Sequence, residues 1–177
     1  AESELFEFFG RVKPALEEAA KPLTRNMEIR GGGIDRISLI DLSARLPGYH
    51  QIEVLFGTAD SMGANFINSC LEAMAAELAE RAAQTFPGRL EVIMSILSNH
   101  TPDCLVSCQV SARVEEFALA ASGRSGAEFA RRFVLAVEMA RVDPSRAVTH
   151  NKGIYNGVDA VVIATGNDFR ATEAAGH

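Results

Sequence analysis

The sequence predicts an α+β chain. Roughly the first hundred residues alternate between a 3.6-residue and a two-residue apolar period, in the order helix, strand, strand, helix, strand. After Ser98-Asn99-His100-Thr101-Pro102 the texture becomes mainly helical. These two observations place a domain boundary near residue 100, giving domains 1–100 and 101–177. With one more strand ahead of residue 1, the first domain would be a split β-α-β, ferredoxin-like layer.

Leu5, Phe8, Phe9, Val12, Leu16 and Ala19 recur at helical spacing, which predicts an amphipathic helix over 4–20, closed by Pro22. Gly31-Gly32-Gly33 breaks the pattern. Ile34–Leu42 alternates as a strand, with Ile34, Arg36, Ser38 and Ile40 on one side and Ile37 and Leu39 on the other. Leu46-Pro47-Gly48 turns the chain into a second strand, His50–Phe56. Asp60 or Ser61 is the expected N-cap of a long helix whose body, 66–83, carries the stripe Phe66, Cys70, Leu71, Met74, Leu78 and Ala82. Phe86-Pro87-Gly88 ends it, and Leu90–Leu97 reads as a further strand. Cys104–Val114 reads as extended and Ala127–Arg141 as helical. A polar stretch after Asp143-Pro144, an apolar Ile154–Ala164 and a short last helix complete the chain.

The composition is globular: 47% hydrophobic and 23% charged residues over 177 positions, enough for a substantial core. A formal charge of −6 with no basic block disfavours nucleic acid and anionic membranes as partners. No apolar run approaches the ~18 residues of a spanning helix, and no signal peptide is visible. The 3 cysteines, Cys70, Cys104 and Cys108, lack metal spacing and suit a reducing, cytoplasmic setting. Cys104 and Cys108 fall on one side of an expected strand and read as small core residues. The first residue is not Met, and the last follows a helical stretch directly, so the sequence reads as a piece of a longer chain.

Two clusters carry candidate chemistry. In Arg146–Asn156, a helical conformation would put Arg146, Thr149, Lys152 and Asn156 on one side, at spacings of three, three and four. A guanidinium, a hydroxyl, an ammonium and an amide there would receive a carboxylate and a developing oxyanion. A capped, solvated helix end accounts for the same residues. In Asp60-Ser61-Met62-Gly63-Ala64-Asn65, a helix mouth built from small residues lets backbone N–H groups approach a phosphate. Ordinary capping is again the plain alternative. His50, His100, His150 and His177 show no i, i+4 pairing, so no metal site is expected. A Rossmann glycine fingerprint, a Walker loop and a nucleophile elbow are all missing.

Together these strings resemble the hydroxymethylglutaryl-CoA reductase family, its bacterial class II branch above all. The matching pieces are Gly31-Gly32-Gly33, Asp60 through Asn68, Ile96-Leu97-Ser98-Asn99, and Val142-Asp143-Pro144-Ser145-Arg146 through Asp168-Phe169-Arg170. They stand in the family's order over about residues 5–177, and the D-S-M-G-A-N and T-H-N-K-G…A-T-G-N-D strings are long and specific.

The resemblance implies a central portion of an NAD(P)H-dependent enzyme of isoprenoid biosynthesis. That enzyme reduces hydroxymethylglutaryl-CoA to mevalonate and free CoA, or runs the reverse, with two hydride transfers and no metal. It implies a ferredoxin-like, coenzyme-binding small domain, here 1–100, set into a mainly helical large domain, part of which is 101–177. Lys152 falls on the catalytic lysine, which stabilises the oxyanion, and Asp168 on the central aspartate, which tunes it by hydrogen bonding. Arg146 would meet the substrate carboxylate, with Thr149 and Asn156 ordering the site. Asp60, Ser61, Met62, Gly63, Ala64 and Asn65 match the dinucleotide-binding loop, and Asn99 matches a coenzyme contact at the hinge. The family also implies a homodimer or higher oligomer with active sites at the subunit interface.

Two departures shape the expectation. Family members that prefer NADH carry an acid about seven positions before the glycine run, to hold the ribose hydroxyls. Here that region is Leu23-Thr24-Arg25-Asn26, so Thr24 and Arg25 are expected to take a 2′-phosphate, favouring NADPH over NADH. The family's catalytic glutamate lies upstream and its catalytic histidine downstream of the span matched here. Glu173 and His177 have the wrong context to replace them, so the isolated chain is expected to be inactive or nearly so. The alternative is a non-catalytic nucleotide- or CoA-binding module from a truncated reductase.

Overall fold

The computed structural model describes residues 2–176, and for Glu2, Leu119 and Ala120 the backbone alone; His177 lies outside the described residues. The chain divides into two compact units, Ala1–Leu97 and Ser98–His177.

The first unit packs two helices, α1 (Glu2–Ile29) and α2 (Ala64–Thr85), with an antiparallel hairpin of β1 (Gly33–Asp41) and β2 (His50–Gly57). α1 runs past the expected stop at residue 20 and through both Pro14 and Pro22. Each proline removes a helical hydrogen bond at a cost of about 3 kcal/mol. Both lie on the exposed face, where water reaches the freed carbonyls. On the other face Phe8, Val12, Leu16, Ala20, Thr24 and Met27 continue a single buried stripe. Burying each large apolar member contributes about 1.5–3 kcal/mol, which offsets the two defects.

Against that stripe pack Ile37 from β1 and Cys70, Met74 and Ala82 from α2, closed by Phe86. The Phe8 and Phe86 rings meet edge to face at 5.1 Å, and Phe56 and Phe66 at 5.7 Å. Strict alternation predicted Ile34 and Ile37 on opposite sides of β1. A β-bulge at Asp35 slips the register between Ile34 and Arg36, so Ile37 enters the core and Ile34 packs on it as well.

Two further expectations about this half change. α2 starts at Ala64, with Gly63 as N-cap at φ 75° and no side-chain cap. Asp60 and Ser61 do not cap it because both are held in the preceding turn: Ser61 N and Oγ bond the Thr58 carbonyl at 3.0 and 2.8 Å, and Asp60 pairs with Arg30. Leu90–Leu97 forms no strand, since among the described residues the sheet consists of β1 and β2 only. A strand exists only with a neighbour for its N–H and C=O groups. This run is nonetheless anchored at both ends, Leu90 on the core and the Leu97 N–H donating to Asn68 Oδ1 at 2.9 Å.

The second unit holds a 3-10 helix (Val114–Ala120), α3 (Gly126–Val142), α4 (Pro144–Ala164) and α5 (Phe169–Gly176). Ser125 caps α3 by accepting from Glu128 N at 3.2 Å. Asp143 caps α4 by accepting from Ser145 N at 3.0 Å, with Pro144 in its favoured first-turn place. Phe117 stacks on Phe129 at 5.6 Å, fastening the 3-10 helix to α3. The polar stretch after Pro144 and the apolar Ile154–Ala164 form one continuous helix, α4. The expected strand from Cys104 is irregular up to the 3-10 helix and joins no sheet among the described residues, and Cys104 and Cys108 are exposed free thiols rather than core residues. Cys70 is the buried one, and burial pushes its thiol pKa up. Few apolar side chains are covered in this unit: Phe133, Val134 and Val142 are 61%, 60% and 81% exposed.

Candidate functional site

The first cluster lies where three backbone turns of the first unit meet. α1 ends in hydrogen bonds from Arg30 N and Gly32 N to Met27 O, at 3.0 and 2.9 Å, with Gly31 at φ 85°. Gly33, at φ 118°, leads into β1, where any other residue would be strained. A β-carbon on Gly32 would collide with the Gly57 carbonyl, so the glycine run lies directly against the end of β2. From there the chain passes through Ala59, held at φ 51°, a conformation costing of order 1–3 kcal/mol for a residue with a side chain.

Asp60 follows, ion-paired to Arg30 and thereby joining the two turns. The hydrogen bond from Arg30 holds the Asp60 carboxyl below the usual carboxylate range. Met62 is more than half exposed, and a β-carbon on Gly63 would fall 2.6 Å from Thr58 Cγ2. Beyond it Ala64 and Asn65 open α2, whose first N–H groups have no side-chain acceptor. These are the groups that favour an anion at a helix start. Asn99 is exposed in the second unit, one residue after Ser98, whose Oγ accepts from His100 N at 3.1 Å.

Thr24 and Arg25 do not form the expected pair. Thr24 is 1% exposed and donates to Glu28 Oε1 at 2.6 Å and, more weakly, to Lys21 O at 3.3 Å, whereas Arg25 is exposed on another face of α1. Helical geometry separates adjacent residues by about 100°, which a strand-like or loop reading of this region hides. Beside Thr24 lies a cleft of about 510 Å³ between α1 and β1, lined in part by Lys13, Lys21, Glu28, Gly32, Asp35 and Arg36. Arg36, which also faces Glu53 at 3.6 Å, is, among the described residues, the one guanidinium of the three cations that line it, with Lys13 and Lys21. The bulge at Asp35 is the feature that a simple alternation count could not reveal.

The second cluster is on α4 and the turn after it. Arg146, Thr149, Lys152 and Asn156 all lie on the one helix and are all exposed. Thr149 directs its hydroxyl to Ser145 O at 3.2 Å, leaving the charged and amide groups as the unattached members. Asp159, one further turn along, was not singled out by spacing; its Oδ1 is buried without a hydrogen-bond partner. Gly166, at φ 74°, reverses the chain, and Asn167 Nδ2 donates to Thr165 Oγ1 at 2.9 Å.

Asp168 then caps α5. Its Oδ1 accepts from Arg170 N at 3.0 Å and Ala171 N at 3.3 Å and faces Arg170 Nε at 3.5 Å. The Ala171 N–H foremost, then the Arg170 N–H and charge, hold its carboxyl below the usual range. Among the described residues no hydrogen bond or ion pair joins Lys152 to Asp168. No group of three or more His, Cys, Asp or Glu among them could hold a metal, and no helix is long and apolar enough to cross a membrane.

A family model for hydroxymethylglutaryl-coenzyme A reductase matches residues 3–177. The chain belongs to that family. It is 31% identical over 180 positions to a probable 3-hydroxy-3-methylglutaryl-coenzyme A reductase of Borreliella burgdorferi, covering 100% of this chain and 39% of that protein. It is 32% identical over 167 positions to a 3-hydroxy-3-methylglutaryl-coenzyme A reductase of Archaeoglobus fulgidus, covering 94% and 35%. Among solved structures, the class II enzyme of Streptococcus pneumoniae bound to NADPH in open conformations superposes with a TM-score of 0.66 at 33% identity. That match covers 96% of this chain and 43% of the other. The chain thus spans about two fifths of the length of the family members it matches.

Proposed function

We propose that this chain is the coenzyme-binding part, and the lysine–aspartate part of the active site, of an enzyme that reduces 3-hydroxy-3-methylglutaryl-CoA to mevalonate and CoA, or runs the reverse. The observation that carries the reading is the corner formed by the Gly31–Gly33 turn, the Arg30–Asp60 pair and the uncapped start of α2, in a chain of this family. Taking a thioester to a primary alcohol needs two hydrides and two protons, and two reduced nicotinamides, bound in turn, would supply one hydride each. The corner suits a dinucleotide because Gly32 and Gly63 let its turns pack closely on Gly57 and Thr58, and because the uncapped start of α2 offers backbone N–H groups to a pyrophosphate.

NADPH is the coenzyme we favour over NADH. The solved relative is bound to NADPH, and Arg36, lining the cleft beside Gly32, offers a 2′-phosphate the fork that buried Thr24 cannot. On α4, Arg146 would bind the substrate carboxylate and Asn156 orient it, while the Lys152 ammonium would stabilise the oxyanion developing on the thioester and then on the aldehyde. Asp168, already ionised and fixed at the start of α5, would orient Lys152 and the proton it shares.

The ferredoxin-like layer belongs to the same proposal. The two helices packed with the β1–β2 hairpin, and the Leu90–Leu97 run anchored at both ends, support it. Assembly as a homodimer and a cytoplasmic location complete the reading.

The direct test follows NADPH oxidation with hydroxymethylglutaryl-CoA, first by this chain and then by the polypeptide extended on both sides to the length of its relatives. The expected result is coenzyme binding without turnover by the chain, and turnover by the extended protein that Lys152→Ala abolishes. Coenzyme binding with no turnover in either form would favour the non-catalytic module. Turnover by the chain alone would show that the family's glutamate and histidine are dispensable.

A further inference from the structure

We propose that Arg30 is a positioning residue for the coenzyme loop, acting through Asp60 rather than by touching the coenzyme. The inference rests on the reading that a dinucleotide binds where α2 begins. Thr58 to Gly63 is a turn with one strained residue and one position that tolerates only glycine. Ala59 sits in the left-handed region without being glycine, and Gly63, itself at φ 75°, lies so near Thr58 that a β-carbon there would meet Thr58 Cγ2 at 2.6 Å. A residue in such a conformation stays there only where its surroundings over-determine it.

Within the turn, Ser61 makes two bonds to one acceptor, Thr58 O, and both are local. The tie from outside is the Arg30–Asp60 pair, which spans 30 positions of sequence. Arg30 is well placed to hold it. Its own backbone is pinned to Met27 O at the end of α1, and α1 is the most buried helix of this unit. The rigid helix therefore transmits its position through one guanidinium to the strained turn, and the turn sets the direction of the first N–H groups of α2.

An exposed ion pair contributes little to global stability. Its effect here is instead on where the loop stands, and small displacements of a binding group can weaken an interaction by an order of magnitude or more. A carboxylate fixed beside the anion site would also repel a phosphate if Arg30 released it, so the pair screens the loop as well as shaping it.

The test is a titration of the chain with NADPH and with NADH, for the wild type, Arg30→Ala, Arg30→Lys, Asp60→Asn and the double variant Arg30→Ala/Asp60→Asn. Amide hydrogen exchange over 58–63 and thermal melting accompany it. The proposal expects Arg30→Ala to weaken both coenzymes alike by about ten-fold. It also expects faster exchange at 58–63 with an unchanged melting temperature, and recovery to within about two-fold by Arg30→Lys. The double variant should be no worse than Arg30→Ala, because both substitutions break one link.

Additive losses in the double variant would overturn it, as would a loss confined to NADPH, which would make Arg30 a direct reader of the 2′-phosphate. Unchanged exchange in Arg30→Ala would also overturn it. Failure of the underlying reading is distinct: the wild-type chain would bind neither coenzyme, and the positioning role would fall with it.

Discussion

Gly32 lies so close to Gly57 that a β-carbon on it would meet both the Gly57 carbonyl and Met27 Cγ. The end of α1 and the end of β2 are thus joined backbone to backbone, and the loop that leads into α2 starts from that contact. Gly32→Ala is expected to destabilise the first unit by about 1–3 kcal/mol, as overpacking against a rigid carbonyl does. Gly10, inside α1 with open space around it, is the control: Gly10→Ala should stabilise by about 0.5–1 kcal/mol. Urea denaturation of the two variants reads both signs, and equal effects would show that the close approach is not fixed.

If the proposed coenzyme site is right, Arg36 in the cleft should set the choice between NADPH and NADH. Arg36→Asp is expected to reverse an NADPH preference toward NADH by at least about ten-fold, because a carboxylate repels the 2′-phosphate and accepts ribose hydroxyls. Arg25→Ala should leave the ratio of the two affinities unchanged, since Arg25 stands on a different face of α1 from Thr24. A reversed ranking of the two substitutions would restore the 2′-phosphate to the Thr24-Arg25 segment.

In the extended enzyme, Lys152→Ala is expected to lower kcat by about a hundred-fold or more, the scale on which removal of one oxyanion donor acts. Arg146→Ala should instead act mainly through KM for hydroxymethylglutaryl-CoA, as loss of a carboxylate ligand removes binding common to the ground and transition states. Steady-state kinetics separate the two, and a pure KM effect of Lys152→Ala would remove it from the chemical step.

Acid should loosen α3 through one residue. Glu128 accepts from Arg131 and Arg132, and those hydrogen bonds bring its pKa down from 4.5 to about 2. A carboxylate with a depressed folded-state value favours the folded form above its ordinary pKa and loses that contribution as pH falls from 4.5 to about 2. Helicity of the chain followed by circular dichroism should fall over that window, by less in Glu128→Gln. The side chains are exposed and salt screens the pairs, so 1 M NaCl should shrink the difference.

The exposed apolar side chains of α3, with Phe133 and Val134 both more than half accessible, predict self-association of the isolated chain. Light scattering is expected to give a mass above that of one chain at high concentration, moving toward it in Phe133→Ser/Val134→Ser. A clean monomer at every concentration would remove this surface as the cause.

The sequence by itself determined the helices whose apolar stripes repeat at 3.6 residues, α2 and α3 to within a few residues, and the pairing of β1 with β2. It also determined the family, because the D-S-M-G-A-N and T-H-N-K-G strings are specific chemistry in a specific order. Those features are local: apolar periodicity and a Leu-Pro-Gly turn. What only the tertiary structure decided are features that depend on a distant neighbour. α1 continues through Pro22 because a buried face beyond it, Thr24 and Met27, has a core to enter. Ile34 and Ile37 share a face because a bulge at Asp35 absorbs one residue. Thr24 borders the cleft but gives its hydroxyl to Glu28, and Arg30 enters the candidate site because Asp60, thirty residues on, is brought to its guanidinium. Leu90–Leu97 carries a strand's alternation yet stays unpaired, since no residue pattern can supply the neighbouring strand's N–H and C=O groups.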